Sequence, residues 1–474
     1  MSAQQESPNI LFLFTDQQRP DWLGSASDIP VETPEIDRLA DQGVQFTDAI
    51  CPSPVCNPSR AAIASGYEYD RCGVPGNSVD YQPRTRTTLA SRLRDEGGYH
   101  TMACGKFDLT TDFPFGRSGR PDTAAWGYED ARFNPAKINT VWSVRDDPDR
   151  APQDPYTAFL QEEGWLDAHA DDYIDRHEQG WWTATEPTPL PDEVYYDNWI
   201  TEQGLKLLED APTDQPWFLQ VNFQNLHHPW DITEGMHQWY RSPDVTFPLP
   251  VHSDLDVNDK THQEIRRNYA AMAEHLDACV GRFIDAVRTR GELENTLIVF
   301  SSDHGEMLGD YGQWQKLSPL QMSVGVPLIA AGAGVTAQAA RDEPTTILDL
   351  HDTFLDVAGI SQRTATDSRT LLPAFADEES YSPRDIVYSG LGPWRLVYDG
   401  QYKLIEGYDP AKRRGSDYEP MVVEPSEARR LQRTRDRLLF DVTENEHENL
   451  ADEHPEIVER LHDQLVEIRD RDPE

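Results

Sequence analysis

The sequence predicts an α/β fold in which a large, mixed but mainly parallel sheet lies between helices, followed by a small α+β subdomain with an antiparallel sheet. Short, unbroken apolar runs at residues 9–15, 217–223 and 296–300 are typical of strands that are buried on both faces of a parallel sheet. Helical patterns separate these runs, which favours βαβ connections. After about residue 377, short strands follow one another at hairpin spacing, which indicates the antiparallel sheet.

The elements of the first 376 residues alternate between strand and helix, which predicts one large domain, 1–376. Helix starts and ends are placed by capping residues, such as Thr33 before Pro34 and the glycines that follow several apolar patterns. In chain order the predicted elements are strand 9–15, helix 33–43, strand 44–46, helix 58–65, helix 87–96, strand 100–104, helix 197–209, strand 217–223, helix 262–290, strand 296–300, strand 326–330 and helix 345–358.

Residues 112–196 interrupt this alternation. The segment is rich in Pro, Trp, Asp and Gly and has one helical piece near 155–177. A segment of this length without regular structure is more often a wall of a ligand pocket than an idle loop. Its tryptophans would either stack on a ring of the ligand or pack internally. They are Trp126, Trp142, Trp165, Trp181 and Trp182.

Residues 377–474 are predicted to form the C-terminal subdomain. The expected elements are strands 385–388, 394–398, 402–405 and 439–441, a charged loop at 407–427 and an amphipathic helix at 455–468.

The composition is strongly acidic, with 84 Asp and Glu against 42 Lys and Arg and a formal net charge of −42. The acids are spread along a chain that also has 12 Trp, 18 Tyr and 16 Phe, so an acidic disordered protein is excluded. A dispersed acidic surface is typical of cytosolic proteins from salt-loving organisms. It disfavours nucleic acid and anionic membranes as partners.

The termini and the cysteines agree with a cytoplasmic protein. The N-terminus lacks the basic and apolar regions of a signal peptide, and no apolar run has the length of a membrane span. The five cysteines form no Cys-x-x-Cys pair, which argues against a disulfide framework and against structural zinc.

The most informative stretch is Cys-Pro-Ser-Pro-Val-Cys-Asn-Pro-Ser-Arg at residues 51–60. Pro58 suits the first position of a helix and Gly66 the position after its end, which predicts that Cys56 lies at a helix N-terminus. Free N–H groups and the helix dipole favour an anion there, and they lower the pKa of a thiol. Arg60, one turn further along, would face the same anion. The simpler alternative is a buried structural cysteine.

Polar clusters follow four of the predicted buried strands. They are Asp16, Lys106, His227 with His228, and Asp303 with His304. In open α/β sheets, ligands bind outside the carboxyl ends of the strands, so we expect these clusters to share one site. Each residue alone could cap a turn or lie in the core as a satisfied polar group, but four such coincidences at equivalent positions are the weaker explanation.

The residue types in these clusters indicate the chemistry of the site. Carboxylates with a single imidazole suit Ca²⁺, Mg²⁺ or Mn²⁺ better than zinc. A divalent cation beside Arg60, Lys106 and Lys316 would bind a tetrahedral oxyanion, such as a sulfate or phosphate ester, and polarise it.

The same residues resemble the signatures of the type I sulfatases, a formylglycine-dependent family of the alkaline phosphatase superfamily. Cys56-Asn-Pro-Ser-Arg60 is similar to the family's Cys-x-Pro-Ser-Arg motif. The resemblance covers nearly the whole chain, and the set of motifs in this order is specific. The other similar segments are 9–24, 33–43, Gly105-Lys106, His227-His-Pro229, 302–309 with Lys316, and 439–450.

The resemblance implies an alkaline-phosphatase-like α/β sandwich and hydrolysis of a sulfate monoester. In this family a maturation enzyme oxidises the motif cysteine to formylglycine, whose hydrate supplies the attacking oxygen and a metal ligand. The implied ligands of the metal, usually calcium, are Asp16, Gln17, the modified Cys56, Asp303 and His304. The implied sulfate-binding residues are Lys106, His227 and Lys316. Arg60 would position the hydrate, and His227 or Lys316 would protonate the leaving alcohol.

Three positions depart from the family pattern. Gln17 stands where many members have a second Asp, which resembles the branch of choline sulfatases and phosphonate monoester hydrolases. Asp108 stands where many members have a His that orients the hydrate and acts as a base, so Asp108 takes this role or the step is altered. Cys72 replaces a common His after Arg71, without an expected catalytic effect.

Two other functions remain open alongside sulfate-ester hydrolysis. The first is a phosphodiesterase or phosphonate monoester hydrolase with the same site, which Gln17 and His304 keep in consideration. The second is a non-catalytic, anion-binding homologue in which Cys56 stays a thiol. For the substrate, a sulfated carbohydrate is slightly favoured over a small aliphatic or aryl sulfate.

Overall fold

A computed structural model describes residues 7–471 of the chain with gaps at residues 82–86, 110–115, 117–122, 146–148, 150, 240–244, 362–365 and 411–424. Most of the charged loop predicted at 407–427, and parts of the segment 112–196, lie outside the described residues.

The strands are β1 (Asn9–Thr15), β2 (Gly43–Phe46), β3 (Ala49–Ile50), β4 (His100–Lys106), β5 (Asp130–Asn134), β6 (Trp217–Asn222), β7 (Thr296–Ser302), β8 (Leu328–Gly332), β9 (Thr345–Thr346), β10 (Val387–Leu391), β11 (Trp394–Tyr398), β12 (Tyr402–Glu406) and β13 (Leu438–Asp441). The α-helices are α1 (Pro34–Gln42), α2 (Cys56–Ser65), α3 (Tyr69–Cys72), α4 (Leu89–Asp95), α5 (Lys137–Arg145), α6 (Pro155–Glu163), α7 (Leu166–Gln179), α8 (Tyr196–Asp210), α9 (Glu234–Trp239), α10 (Asp259–Thr289), α11 (Gln321–Val324), α12 (Leu350–Val357), α13 (Leu372–Phe375), α14 (Pro425–Thr434) and α15 (Pro455–Arg469).

The first strand of the chain lies at the centre of the main sheet. β1 is parallel to both of its neighbours, β6 and β7. Within the described residues the sheet has seven strands in the order β2-β8-β7-β1-β6-β4-β5. β8 is antiparallel to β7 and to β2, whereas β4 is parallel to β5 and β6. The prediction of a mixed, mainly parallel sheet is therefore confirmed.

Both faces of this sheet are covered by helices, as the unbroken apolar strands predict. Ile10, Phe12 and Phe14 of β1 belong to an apolar cluster with residues of α2, α4 and α12. Leu11 and Leu13 point the other way, into a cluster with residues of α1, α8 and α10. Each of these side chains is at most 1% exposed, and burying one contributes about 1.5–3 kcal/mol to the free energy of folding.

The C-terminal part of the chain forms a separate antiparallel sheet in the order β10-β11-β12-β13. Helix α15 packs on it through Val458, Leu461 and Leu465, which contact a cluster that includes Val397 and Leu404. The predicted α+β subdomain is thus present, while the boundary near residue 377 stays a prediction.

The segment 112–196 is more regular than predicted. It contributes β5, which pairs with β4 at the sheet edge, and helices α5, α6 and α7. β5 has the sequence Asp-Ala-Arg-Phe-Asn, which lacks the unbroken apolar run used to predict strands, because an edge strand needs less apolar surface. The predicted helix 345–358 also begins later: its first two residues form β9, which pairs with β3, and α12 begins at Leu350.

Candidate active site

Helix α2 places the side chain of Cys56 beside the carboxyl ends of β1 and β7. Val55 is the N-cap in an extended conformation, and the helix begins at Cys56 itself, so that Pro58 is its third residue. The prediction of Pro58 at the first position is therefore wrong. Proline is accepted here because the first N–H groups of a helix have no intrahelical partner. Gly66 ends the helix with φ of 77°, as predicted, and glycine adopts this left-handed conformation without strain.

Four predicted metal ligands come together around Cys56. One ligand atom from each of Asp16, Cys56, Asp303 and His304 lies within 4.8 Å of the others, and all four residues are buried. Cys56 Sγ is 3.2 Å from His304 Nε2 and 4.0 Å from Asp16 Oδ1. The other ring nitrogen of His304, Nδ1, lies 3.0 Å from the carbonyl of Gly305. A proton on Nδ1 satisfies that carbonyl and leaves the Nε2 lone pair facing the cluster.

Gln17 lies next to this cluster. Its backbone has φ of 63°, and its N–H donates to Asp303 Oδ1 at 3.1 Å. Its side-chain oxygen Oε1 accepts a hydrogen bond from the Lys316 ammonium at 2.6 Å. The structure therefore brings the fifth predicted ligand to the edge of the group, with its oxygen close to a cation.

Three cationic side chains surround the carboxylates of the cluster. Arg60 donates through Nε to Asp303 Oδ2 at 3.0 Å. Lys106 contacts Asp16 directly and lies 2.9 Å from Asp108 Oδ2. The third is Lys316, bound to Gln17. Arg60 thus faces a carboxylate, whereas the sequence predicted that it would face the bound anion.

The position of Lys106 depends on the glycine before it. Gly105 has φ of 87°, and a Cβ at this position would lie 1.9 Å from the carbonyl oxygen of Asn222. Only glycine allows β4 to approach β6 so closely while turning Lys106 toward Asp16. This is the physical reason for the Gly-Lys pair at the end of the strand.

The buried charges shift the protonation equilibria of the cluster. Burial opposes ionisation of Asp16, but Lys106 and Lys316 hold its pKa well below the usual range. Burial lowers the pKa of His304 to about 4, which keeps the ring neutral. Burial, with Asp16 next, raises the pKa of the Cys56 thiol to about 11. The expectation of a lowered thiol pKa is therefore wrong, because desolvation and a neighbouring carboxylate outweigh the helix N-terminus.

His227 and His228 form a stacked pair, with ring centroids 4.1 Å apart. Burial and the nearby Lys316 and Lys106 hold the pKa of His227 well below its ordinary value. Its Nδ1 lies 2.6 Å from the carbonyl of His228. A neutral ring with its proton on Nδ1 satisfies that carbonyl, which leaves Nε2 without a proton. Trp182 contacts the other ring of the pair at a centroid distance of 4.3 Å.

The five predicted tryptophans have different surroundings, and Trp165 packs, partly buried, against the apolar cluster that includes Leu11 and Leu13. Trp126 is 6% exposed and packs edge-on against Phe107 at 4.8 Å, so it belongs to the core. Trp142 contacts Trp181 at 5.9 Å. Trp182, in contact with His228, is the tryptophan that borders the site.

Two buried residues of the site were not predicted to have a role. Glu306 contacts the side-chain amide of Gln17, and Asn222 accepts a hydrogen bond from Arg60 at 3.0 Å. Both stand at positions where a polar residue follows or ends a buried strand, which is the same signal that identified Asp16 and Asp303. The sequence alone does not show which polar partners they contact.

A sequence profile of one known family, Sulfatase, matches residues 8–360. The chain belongs to the sulfatase family. The prediction of a sulfatase enzyme is thus confirmed, and the matched region contains the metal-ligand group, the three cationic residues and the histidine pair.

Relatives of this sulfatase-family chain agree with that assignment. The arylsulfatase of Clostridium perfringens is 26% identical over 84% of this chain and 82% of its own length. The choline-sulfatase of Rhizobium meliloti is 29% identical over 82% of this chain and 78% of its own length. The phosphonate monoester hydrolase of Agrobacterium radiobacter has the same fold, with a TM-score of 0.75 over 98% of this chain and 95% of that protein, at 20% identity.

The donor set around Cys56 fits a divalent cation. Two carboxylates and one imidazole nitrogen converge within 4.8 Å together with the side chain of residue 56. A thiol would be the one soft ligand among hard ones, whereas an oxygen at that position would complete a set typical of Ca²⁺ or Mg²⁺.

Among the helices of the described part of this sulfatase, none is both long and apolar enough to cross a bilayer.

Proposed function

We propose that this protein hydrolyses a sulfate monoester and that its working residue is a formylglycine made from Cys56. The observation that supports this most is the position of Cys56 Sγ, 3.2 Å from His304 Nε2 inside a group of metal ligands. A buried thiol with a raised pKa is a poor nucleophile at neutral pH. The hydrated aldehyde would supply an oxygen nucleophile at this place.

We further propose that Asp16, Gln17, Asp303 and His304, with the modified residue 56, hold a divalent cation, Ca²⁺ by preference and Mg²⁺ or Mn²⁺ as alternatives. Such a cation supplies Lewis-acid stabilisation of charge on the ester oxygens. The two carboxylates now held by Lys106 and Arg60 provide its negative charge. Burial opposes ionisation of Asp16, but Lys106 and Lys316 hold its pKa well below the usual range.

The remaining residues of the site are proposed to bind the sulfate group and to move one proton. Lys106 and Lys316 donate to the sulfate oxygens, and Arg60, fixed on Asp303, positions residue 56. The sequence-based prediction that His227 also binds them would need a proton on Nε2, whereas the contact of Nδ1 with the carbonyl of His228 places the proton on Nδ1. Lys316 is the better donor to the leaving alcohol, since its ammonium carries the protons and its contact with Gln17 Oε1 is with a neutral acceptor. The neutral His227 has its proton on the wrong nitrogen for this role.

Asp108 is proposed to hold Lys106 and to act as the base that releases sulfate. Its Oδ2 lies 2.9 Å from Lys106 Nζ, and its side chain keeps 19% exposure, so it is open to the pocket. This is the position where many sulfatases have a histidine, and a carboxylate accepts a proton in the same way.

Mass spectrometry of the Cys56 peptide tests the formylglycine. Protein purified from its native host should carry a residue with the mass of formylglycine or its hydrate at position 56. An unmodified thiol in that preparation would contradict the proposal and favour a non-catalytic, anion-binding homologue. The maturation enzyme is the partner that this modification requires.

A second candidate function is hydrolysis of phosphodiesters or phosphonate monoesters at the same site. Gln17 favours it, because a neutral amide beside the cluster replaces the second aspartate of many sulfatases. The rates of hydrolysis of an aryl sulfate and of an aryl phosphodiester, measured on the same preparation, separate the two. A rate on the phosphodiester that exceeds the rate on the sulfate would overturn the first assignment.

The substrate alcohol is proposed to belong to a sulfated carbohydrate or to another small sulfated molecule. The names of the relatives, arylsulfatase and choline-sulfatase, support a small sulfate ester. Trp182 beside His228 would support a ring stacked at the pocket wall. The net charge of −42 supports a salt-rich cytoplasm as the place of work.

A further inference from the structure

The side-chain amide of Gln17 lies between a group that can only accept and a group that can only donate hydrogen bonds. Its Nε2 contacts the carboxylate of Glu306 and lies 3.4 Å from Nδ1 of His228. Its Oε1 accepts from the Lys316 ammonium at 2.6 Å. A carboxylate has no donor and an ammonium has no acceptor. Only one of the two orientations of the amide therefore satisfies all of its neighbours.

Glu306 is itself held rigidly. It is fully buried, and its Oε1 accepts the N–H groups of Leu308 at 2.9 Å and Gln315 at 2.7 Å. These bonds tie together both ends of the loop that leads to Lys316. They leave the other oxygen, Oε2, for the amide of Gln17. One carboxylate thus fixes the loop of Lys316 and the amide that Lys316 contacts.

The backbone of Gln17 is fixed as well. Its N–H donates to Asp303 at 3.1 Å, and its carbonyl accepts from the hydroxyl of Tyr269 at 2.7 Å. With the backbone held beside Asp303, the remaining freedom of the residue is which end of its amide lies against Glu306 and which against Lys316. The Glu306 carboxylate and the Lys316 ammonium fix this orientation from opposite ends of the amide.

We propose that Glu306 is a positioning residue that turns the oxygen of the Gln17 amide toward the metal site. The inference rests on the proposed function only in that the site binds a divalent cation. It also gives a physical reason for glutamine at position 17, because a carboxylate there would face the carboxylate of Glu306 without a shared donor. The hydrogen bond between Gln17 and Glu306 thus fixes which end of the Gln17 amide carries the oxygen.

A double-mutant cycle tests this arrangement through metal binding. Chelator-stripped protein from the native host is titrated with Ca²⁺, and separately with Mg²⁺ and Mn²⁺, in a calorimeter. In Glu306→Gln the new amide keeps an oxygen for Leu308 and Gln315 but presents N–H groups to Gln17. The Gln17 amide then has a donor on each side, the new amide and the Lys316 ammonium, so its oxygen is no longer held in one orientation. The Ca²⁺ affinity should therefore fall by about tenfold or more, as for other groups that orient metal ligands.

Gln17→Glu should restore the Ca²⁺ affinity that Glu306→Gln loses. Adding Gln17→Glu to Glu306→Gln places a carboxylate where it accepts from both the new amide and Lys316. We expect Gln17→Glu to improve Ca²⁺ affinity at least about tenfold more in the Glu306→Gln background than in the wild type. Additive effects of the two changes, or wild-type affinity in Glu306→Gln, would overturn the proposal. So would a wild-type protein that binds none of the three ions.

Two further measurements keep the outcome clear. Glu446→Gln is the matched control, since Glu446 is also a buried carboxylate, paired with Lys403 at 2.7 Å. The Ca²⁺ affinity of this variant should equal that of the wild type. A Ca²⁺-bound crystal structure of the wild type needs no folded variant: Gln17 should bind the ion through Oε1, and Glu306 should contact Nε2. Glu306 on the ion itself would contradict the inference. No arm measures ester hydrolysis, so a protein that shows this metal-binding pattern and cleaves no sulfate ester would refute the proposed function alone.

Discussion

At the scale of single residues, the protonation of the site distinguishes His227 from Lys316 as the donor to the leaving alcohol, which the sequence could not do. His227 has its Nδ1 proton committed to the carbonyl of His228 and a pKa held low by burial and by Lys316 and Lys106. Lys316 is an ammonium bound to a neutral acceptor, Gln17. Of these two side chains, Lys316 is therefore the one that we propose as proton donor to the departing alkoxide.

This assignment predicts that Lys316→Ala damages hydrolysis of a poor leaving group more than that of a good one. An alkyl sulfate needs its departing oxygen protonated, whereas a nitrophenolate leaves without help. The loss in kcat/KM should be at least about tenfold larger on the alkyl sulfate than on 4-nitrophenyl sulfate. Steady-state kinetics on both esters provide the measurement.

Lys106→Ala is the control for that prediction. Lys106 contacts Asp16 and Asp108, so its removal should lower kcat/KM on the two esters by similar factors. Equal losses on both esters in Lys316→Ala would mean that Lys316 binds charge without donating the proton.

The convergence of the polar residues could be predicted from the sequence, but their individual contacts could not. Asp16, Asp303 and His304 were identified because each follows a buried strand, and the sheet brings strand ends together. The contact between Gln17 and Glu306 joins residues 289 positions apart. No local pattern encodes such a pairing, because any of the polar residues at this edge has the hydrogen-bonding groups for it.

At the scale of elements, the end of β6 supports the start of α2. Asn222, the last residue of β6, accepts from Arg60 at 3.0 Å and from Gln220 Nε2 at 2.9 Å, and its own Nδ2 donates to the carbonyl of Cys104 at 3.2 Å. Arg60 also binds Asp303. The helix that carries Cys56 is thereby fixed to β4, β6 and β7 through one arginine and one asparagine.

This connection predicts that Asn222→Ala lowers kcat/KM for sulfate-ester hydrolysis by about tenfold, because Arg60 keeps Asp303 but loses its second anchor. The thermal midpoint should change by only a few degrees, since the main-chain pairing of β4 and β6 is untouched. Kinetics and a melting curve on the same preparation provide the test. Gln220→Ala, which removes a partner of Asn222 and no partner of Arg60, should have a smaller effect. A larger loss in Gln220→Ala than in Asn222→Ala would contradict this account.

Elements with unbroken apolar runs were predictable, and those that depend on tertiary partners were not. β1 and β7 could be predicted because burial on both faces requires apolar residues throughout. The edge strand β5 has only Ala131 and Phe133 as apolar residues, and its pairing with β4 supplies the rest of its stability. The sequence likewise did not show that α2 begins at Cys56 and not at Pro58, because Val55 has no side-chain oxygen that would identify it as an N-cap.

At the scale of the whole molecule, the acidic surface and the buried candidate site differ in how strongly salt screens their charges. The chain has a formal net charge of −42, yet Arg60, Lys106 and Lys316 are all at most 5% exposed at the candidate site. At about 0.1 M salt the Debye length is roughly 10 Å, and at 1 M it is roughly 3 Å. Salt therefore screens the repulsion between surface carboxylates far more than it screens the buried ion pairs.

This difference predicts that the folded protein is more stable at molar salt than at low salt. Lowering KCl from molar to about 0.1 M should reduce the thermal midpoint by at least about 5 °C, because the unscreened carboxylates repel one another in the compact state. Scanning calorimetry across a KCl series measures it, and sucrose at matched osmolality controls for general crowding. Replacing exposed carboxylates such as Glu163, Asp210 and Glu294 by amides should weaken the dependence on salt. A midpoint that is independent of KCl would contradict the predicted effect of salt on stability. Amide variants that depend on salt as strongly as the wild type would show that the acidic surface is not its cause.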